Sequence, residues 1–450
     1  MHIAFFTPLS PLKSAIVDHS EGMLPYLAEL ADVDLFIDDT YTPTNPEIVG
    51  RFAIHSFRDF AARATQYDAI LYAMGDHARF HGYVYEMLQR YPGVVDLHDT
   101  TLHRTMINLA FRRAKPEKYL QEMRYAYGIA DVSIAERVIS GYGEEYVRRY
   151  PFCERVVDHS LAVIVHNGHA RRQVLRYCPH ARVTALNYQF FLPPGFPDQT
   201  DVTALRARWG LEGRFVVGSF GLFVRHKRLD ACLRAFARFR ERHPEAIYLF
   251  VGSHPQDYDL PGLIRELGLE EHVVLTGWMD PVRFTQHIYL LDIGIHLRYP
   301  HIGGTPFTPI RLMGLSVPTL ISDIEPLAEF PDGVCVKVTP DETEEDTLLA
   351  TLTYLAEHEG VRRQLGENGA RWIRQYHDPA RIAEQYIATI ERAVAEPPTR
   401  WPPDRSAEHR SAHLLREVAG LACDLGIGEQ DDDVLRPLAE IVAQRVGRQA

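Results

Sequence analysis

Residues 214–230 read RFVVGSFGLFVRHKRLD: an apolar, partly β-branched run, a glycine, then three cations and a histidine where a helical pattern begins. Such a run suits a strand covered by helices on both faces, as in a parallel sheet. Ligands of open α/β sheets sit beyond the carboxyl ends of the strands, and there Lys227 could hold a diphosphate as a point charge, with Arg225 close enough to assist. A solvated turn is the bland alternative for Arg225, Lys227 and Arg228.

The same alternation extends in both directions. After this stretch come AIYLFVGS (246–253), HVVLTG (272–277), DIGIHLR (292–298), PTLISD (318–323) and GVCVKV (333–338). Before it come HIAFFTP (2–8), VDLFID (33–38), DAILYAMG (68–75), GVVDLHD (93–99) and SLAVIVHN (160–167), and PPGFPDQTD (193–201) reads as a linker. The expected fold class is α/β, with two doubly wound, Rossmann-like domains over 1–195 and 196–377 facing a cleft. The segment 378–396 carries Ile382, Tyr386, Ile387 and Ile390 on one face and is expected to cross back onto the first domain. Beyond Pro397–Pro398, Leu414, Val418, Leu421 and Leu425, then Val434, Leu438, Ile441 and Val442, predict a helical hairpin over 397–450. That hairpin either covers its own body or docks a partner or a second copy.

A second stretch, RYPHIGGTPFTPIRLMGLSVPTLISD (298–323), bares backbone at Gly303 and Gly304 and predicts a helix starting near Thr308. N–H groups at 303–305 then suit an anion, although a plain tight turn explains two glycines equally well.

Composition narrows the function classes. The chain has 450 residues, 46% hydrophobic and 24% charged, with a formal net charge of −12. That balance argues against a broad basic face for nucleic acid or an anionic membrane. The five cysteines are odd in number and scattered, which suits free thiols in a reducing compartment. Runs such as FVVGSFGLFV (215–224) are about half of the roughly 20 residues a membrane span needs, so no span and a cytoplasmic location are expected. Asp32-Val33-Asp34 and Asp257-Tyr258-Asp259 have a D-x-D spacing, but Asp32 precedes its strand and short acidic pairs are common. No metal and no cofactor are expected. The first strand lacks G-x-G-x-x-G, and neither a P-loop nor G-x-S-x-G occurs.

The order GLFVRHKR, AIYLFVGS, HVVLTGWMD, LDIGIHLRYP and GLSVPTLISD, ending in GENGARWIRQYHDPARIAEQY, resembles the retaining nucleotide-sugar glycosyltransferases of the GT-B fold, family 4. In the first half, IAFFTPLSPLKSAIVDHSEGMLPYLAEL and VVDLHDTTLH are similar to that family's donor-side loop and acceptor-side His-Asp strand end. The resemblance covers roughly 1–396. It implies a nucleotide-sugar donor held mainly by the second domain and an acceptor, unidentified, held mainly by the first. It assigns Lys227 to the diphosphate, His98 and Asp99 to the His-Asp position, and Ala15, Arg225, Gly277, Gly303, Gly304 and Thr305 to the donor site.

The departures from the pattern surround one ligand. The glutamate common in the loop at 303–311 is missing, its later partner position is Arg311, Leu222 replaces the usual arginine, and Ala15 replaces a glycine. Glu325 is the expected stand-in for the lost carboxylate. The implied function is retaining, metal-independent glycosyl transfer. The alternative is a degenerate relative that binds a glycan or nucleotide and supports a partner enzyme.

Overall fold

The computed structural model describes all residues except 112–114, 130, 194, 198, 256–257, 301–303, 398–417, 420–421, 423–426, 428–430 and 448–450. Gly303, Asp257, Leu414, Leu421 and Leu425 therefore lie outside the described residues.

Two parallel sheets organise the chain. The first joins β1 (His2–Phe6), β2 (Asp32–Ile37), β3 (Ile54–Ser56), β4 (Ala69–Met74), β5 (Gly93–Leu97), β6 (Ser160–Val165) and β7 (Val183–Ala185) in the order β3-β2-β1-β4-β5-β6-β7. The second joins β8 (Val216–Phe220), β9 (Ile247–Val251), β10 (Val273–Leu275), β11 (Ile293–His296), β12 (Thr319–Ser322) and β13 (Val336–Val338) in the order β10-β9-β8-β11-β12-β13. Both are the doubly wound sheets expected from the apolar runs. Two edge strands, β3 and β7, had no such run to reveal them: each is three residues long and none of those residues is buried.

The central strands β5, β8 and β9 are buried at every position, because helices cover both faces of the sheet. One face of the first sheet packs Phe6, Phe36, Phe60 and Tyr72 against the helices that follow. Between β5 and β6 the chain inserts five helices, His103–Phe111, Pro116–Tyr127, Val132–Ile139, Glu144–Arg149 and Glu154–Asp158. Their core is aromatic, with Tyr119 and Tyr127 each in ring contact with Phe152.

The other face of the first sheet is closed from the far end of the chain. Helix Pro379–Ala395 starts at Asp378, whose side chain accepts from Arg381 N, and Pro379 suits its first turn. Its buried residues Ile382, Ala383, Tyr386, Ile387, Ile390 and Ala393 share one cluster with Ile3, Phe5, Leu24 and Leu71 of the first domain. In the tail, a helix spans Asp432–Gly447 with Val434 and Ile441 exposed.

Ile390 is fully buried in that shared cluster, whereas Val394 lies on the open face of the same helix. Ile390→Ala should therefore destabilise the protein by about 2–5 kcal/mol, and Val394→Ala by less than about 0.5 kcal/mol. Urea unfolding read on a first-domain probe would show the contrast; equal midpoints would mean that the helix adds nothing to that core.

Candidate active site

The carboxyl ends of the two sheets enclose a cavity of about 490 Å³. From the second domain, β8 ends at Phe220, and Gly221, at φ 104°, turns the chain into a 3₁₀ turn over Arg225–Lys227. That positive φ favours glycine. The turn sends neighbouring cations in different directions. Lys227 folds inward, is 7% exposed, and donates from Nζ to Phe220 O at 2.8 Å. Arg225 is exposed and is not among the residues that line the cavity, although Val224 and His226 on either side of it are. Arg228, left-handed at φ 54°, turns away and donates from Nε to Glu344 at 2.9 Å.

The second cation of the cavity is Arg298, just past β11, which sequence reading passed over as the tail of a strand. Among the described residues neither Lys227 nor Arg298 makes an ion pair. Burial, aided by Arg298, brings Lys227 down to about 7, and burial brings Arg298 down to about 10 against the pull of Asp99. Both shifts report positive charge held out of water without a bonded carboxylate.

Gly304, Thr305, Pro306, Phe307 and Thr308 also line the cavity. The helix here runs Phe307–Gly314 and has no side-chain cap, so its first N–H groups have no side-chain acceptor. A Cβ on Gly304 would stand 3.1 Å from His98 O, a close approach that a side chain would strain. The Thr305 hydroxyl is already committed, donating to His166 O and accepting from Asn167 Nδ2 at 2.8 Å.

The first domain supplies the opposite wall. Ala15 opens the helix Ala15–Leu27, capped by the Ser14 side chain, and faces the cavity. Asp76 and Asp99 stand together, with Asp76 N donating to Asp99 Oδ2 at 2.9 Å. Burial and the neighbouring Asp99 raise the Asp76 carboxyl to about 7; burial also raises Asp99. His81 donates from Nδ1 to Ala73 O at 3.1 Å, leaving its buried Nε2 in the cavity wall without a hydrogen-bond partner. Burial lowers His81 to about 3, so the ring is neutral and that nitrogen is an acceptor.

His98 lines the same wall but turns both ring nitrogens inward: Nδ1 meets Tyr188 OH at 2.8 Å, and Nε2 lies 3.2 Å from Asp96 Oδ2. Glu325 is not a stand-in for the lost glutamate. It pairs with His169 and with Arg172 at 2.6 Å, away from the cavity. Gly277, exposed at the end of β10, is outside the cavity as well. The carboxylate at that end of the site comes instead from Asp18 of the first domain, which accepts from Arg311 at 3.1 Å. A change of sign at position 311 thus meets the opposite sign across the cleft.

Two facing parallel α/β domains, bridged by a returning helix and joined around a cationic cavity, define the GT-B fold. Residues 201–372, in the second domain, match the family described as "Glycosyl transferases group 1". Anabaena HepE, crystallised with UDP and glucose, superimposes with a TM-score of 0.61 at 17% identity over 86% of this chain and 99% of its own. Sucrose-phosphate synthase from Thermosynechococcus elongatus gives 0.61 at 16% identity, over 88% and 99%. In sequence, 108 residues are 32% identical to a GDP-mannose-dependent alpha-(1-6)-phosphatidylinositol monomannoside mannosyltransferase of Mycolicibacterium smegmatis, covering 23% of this chain and 28% of that protein. An alpha-D-kanosaminyltransferase of Streptomyces kanamyceticus is 25% identical over 55% of this chain and 68% of its own. The chain thus spans less than a third of the first of these curated relatives.

Because Arg228 serves Glu344, which is 1% exposed, and not the cavity, Arg228→Ala should cost about 1–3 kcal/mol of stability while nucleotide affinity stays unchanged. Thermal unfolding and nucleoside-diphosphate titration of the same variant separate the two effects; lost affinity in a stable variant would put Arg228 in the site.

Proposed function

We propose that the protein is a retaining glycosyltransferase that moves a sugar from a nucleotide-sugar donor to an acceptor by a metal-independent, front-face reaction. The observation that carries this reading is the pair Lys227, buried, and Arg298, half-buried, lining an interdomain cavity with no carboxylate ion pair among the described residues. An anion of charge about −2 supplies what the cavity lacks, and the diphosphate of a nucleotide sugar fits beside the uncapped start of helix Phe307–Gly314. Donors of this chemistry are named for the relatives: GDP-mannose for the mycobacterial enzyme, UDP for HepE.

As the bond from the anomeric carbon to the leaving phosphate oxygen lengthens, positive charge spreads over the sugar ring and negative charge collects on the diphosphate. Lys227 and Arg298 stabilise the second of these where water is scarce. The acceptor hydroxyl approaches from the same face and passes its proton to the departing phosphate oxygen, so no carboxylate nucleophile is required. Asp18, Asp76, Asp99 and His81 Nε2 offer hydrogen-bond acceptors for sugar hydroxyls along the first-domain wall. The alternative of a degenerate binding protein rested on the lost glutamate, and these groups weaken it. No described helix is long and apolar enough to cross a membrane, and Cys232 and Cys335 are buried thiols, which supports a reducing, cytoplasmic setting.

Lys227→Ala removes a charge-assisted contact worth about 1.5–3 kcal/mol, so nucleoside-diphosphate affinity should fall roughly ten- to a hundredfold by calorimetry. Unchanged affinity would remove the phosphate role. Donor hydrolysis without acceptor, run across a panel of nucleotide sugars, tests catalysis itself.

The pH dependence follows from the same lysine. In the free protein Lys227 is charged below about 7 and neutral above it, while a bound diphosphate favours the charged form. Binding above that pH must take up a proton, so affinity should drop as pH rises from 7 to 9, by up to about tenfold per unit. Asp76, ionising near 7, repels the diphosphate over the same range and acts in the same direction. Calorimetry in buffers of different ionisation enthalpy would detect the proton; a flat profile would show that Lys227 does not change charge on binding.

A further inference from the structure

Behind the cavity wall, His19, Asp96, His98 and His166 meet inside the first domain. His19 comes from helix Ala15–Leu27, Asp96 from β5, His98 from the residue just past β5, and His166 from the end of β6. All four are buried, none more than 6% exposed. Each imidazole turns Nε2 toward the same carboxylate: His19 at 3.2 Å and His98 at 3.2 Å from Asp96 Oδ2, and His166 at 2.7 Å from Asp96 Oδ1. One ligand atom from each of the four residues lies within 4.8 Å of the others.

We propose that these four side chains form a closed metal site for a divalent ion of the zinc class. Three imidazoles bound through one nitrogen at about 2.0–2.1 Å in a tetrahedral array have ring centres about 5 Å apart and donor atoms about 3.4 Å apart. The three ring centres here are 4.9, 5.2 and 4.9 Å apart. Two of the three outer nitrogens face an acceptor, as metal-bound histidines require, since the nitrogen facing away from the ion carries the proton; the third, His19 Nδ1, is buried without a hydrogen-bond partner. His166 Nδ1 faces Leu186 O at 3.3 Å, and His98 Nδ1 faces Tyr188 OH at 2.8 Å. In the tautomer that directs its proton at Leu186, a neutral His166 ring presents a lone pair to a carboxylate oxygen at 2.7 Å, a contact that a cation between them would relieve. His98 Nε2 likewise has no hydrogen-bond partner although Asp96 is beside it. The Tyr386 hydroxyl, 3.2 Å from His19 Nε2, ties the returning helix to the set.

The site goes beyond the proposed transfer reaction and departs from the sequence expectation of no metal. Of the four residues, only His98 lines the cavity. The work of the site is to staple the helix after β1 to the ends of β5 and β6, which fixes the wall that His98 shares with the cavity. A buried proton shared between His166 and Asp96 is the competing account, and metal content separates the two.

The test uses the full chain, purified from zinc-supplemented medium through a tag without histidine, dialysed, and assayed by elemental analysis. The expected result is about one zinc per chain, lost in His166→Ala and retained in His358→Ala on the exposed surface. Zinc below about a tenth of an equivalent in the unaltered protein, or undiminished in a folded His166→Ala, overturns the proposal. Where His166→Ala fails to fold, cobalt-grown protein of unaltered sequence decides it. Intense visible bands of tetrahedral cobalt support the site, and the faint bands of six-coordinate cobalt, or none, overturn it.

Discussion

A lysine ammonium taken out of water without a carboxylate is costly, and the fold retains one at Lys227. Much else in the second domain is arranged around that charge. Gly221 turns the chain so that the ammonium reaches Phe220 O, the short helix at Phe307 opens toward the same space, and Arg298 adds a second positive group instead of relieving the first. A site built this way is poorly satisfied alone and well satisfied by an anion, which is the physical content of a preorganised diphosphate pocket.

The two domains are held at that pocket by polar contacts of several kinds. Thr305 of the second domain bonds to Asn167 and His166 of the first. Glu329 accepts from Gly168 N at 2.8 Å and from His169 N, so a carboxylate from one domain caps a helix of the other. Arg311 meets Asp18 across the cleft. The segment just before the linker adds shape to these charges: a Cβ on Gly22 would collide with the Phe191 ring and one on Gly314 with Phe190, so each aromatic packs against a helix only because no side chain intervenes. The helix Pro379–Ala395 then closes the loop between chain end and chain start.

The fold was largely legible because its signal is repetitive. Parallel strands buried on both faces leave continuous apolar runs, and the central strands of both sheets follow those runs to within a few residues. Strands β3 and β7 left none, since a short, partly exposed edge strand needs neither face to be apolar. At the site, Lys227, Gly304, Thr305, Ala15, His98 and Asp99 all border the cavity. Arg225 and Glu325 do not, although Arg225 stands between Val224 and His226, which do. Sequence neighbourhood says which strand end a residue follows, and the local turn decides which way its side chain leaves.

What the sequence determined by itself was the period of burial and the strand end that carries a cation, both local properties of ten or so residues. Only the tertiary structure decided which charges meet. Asp18 and Arg311 are 293 residues apart, and the histidines that gather on Asp96 come from helix and strand ends whose proximity depends on sheet order. A pair of side chains has an interaction energy only at short range, and that range is set by packing of the whole chain rather than by any stretch of it.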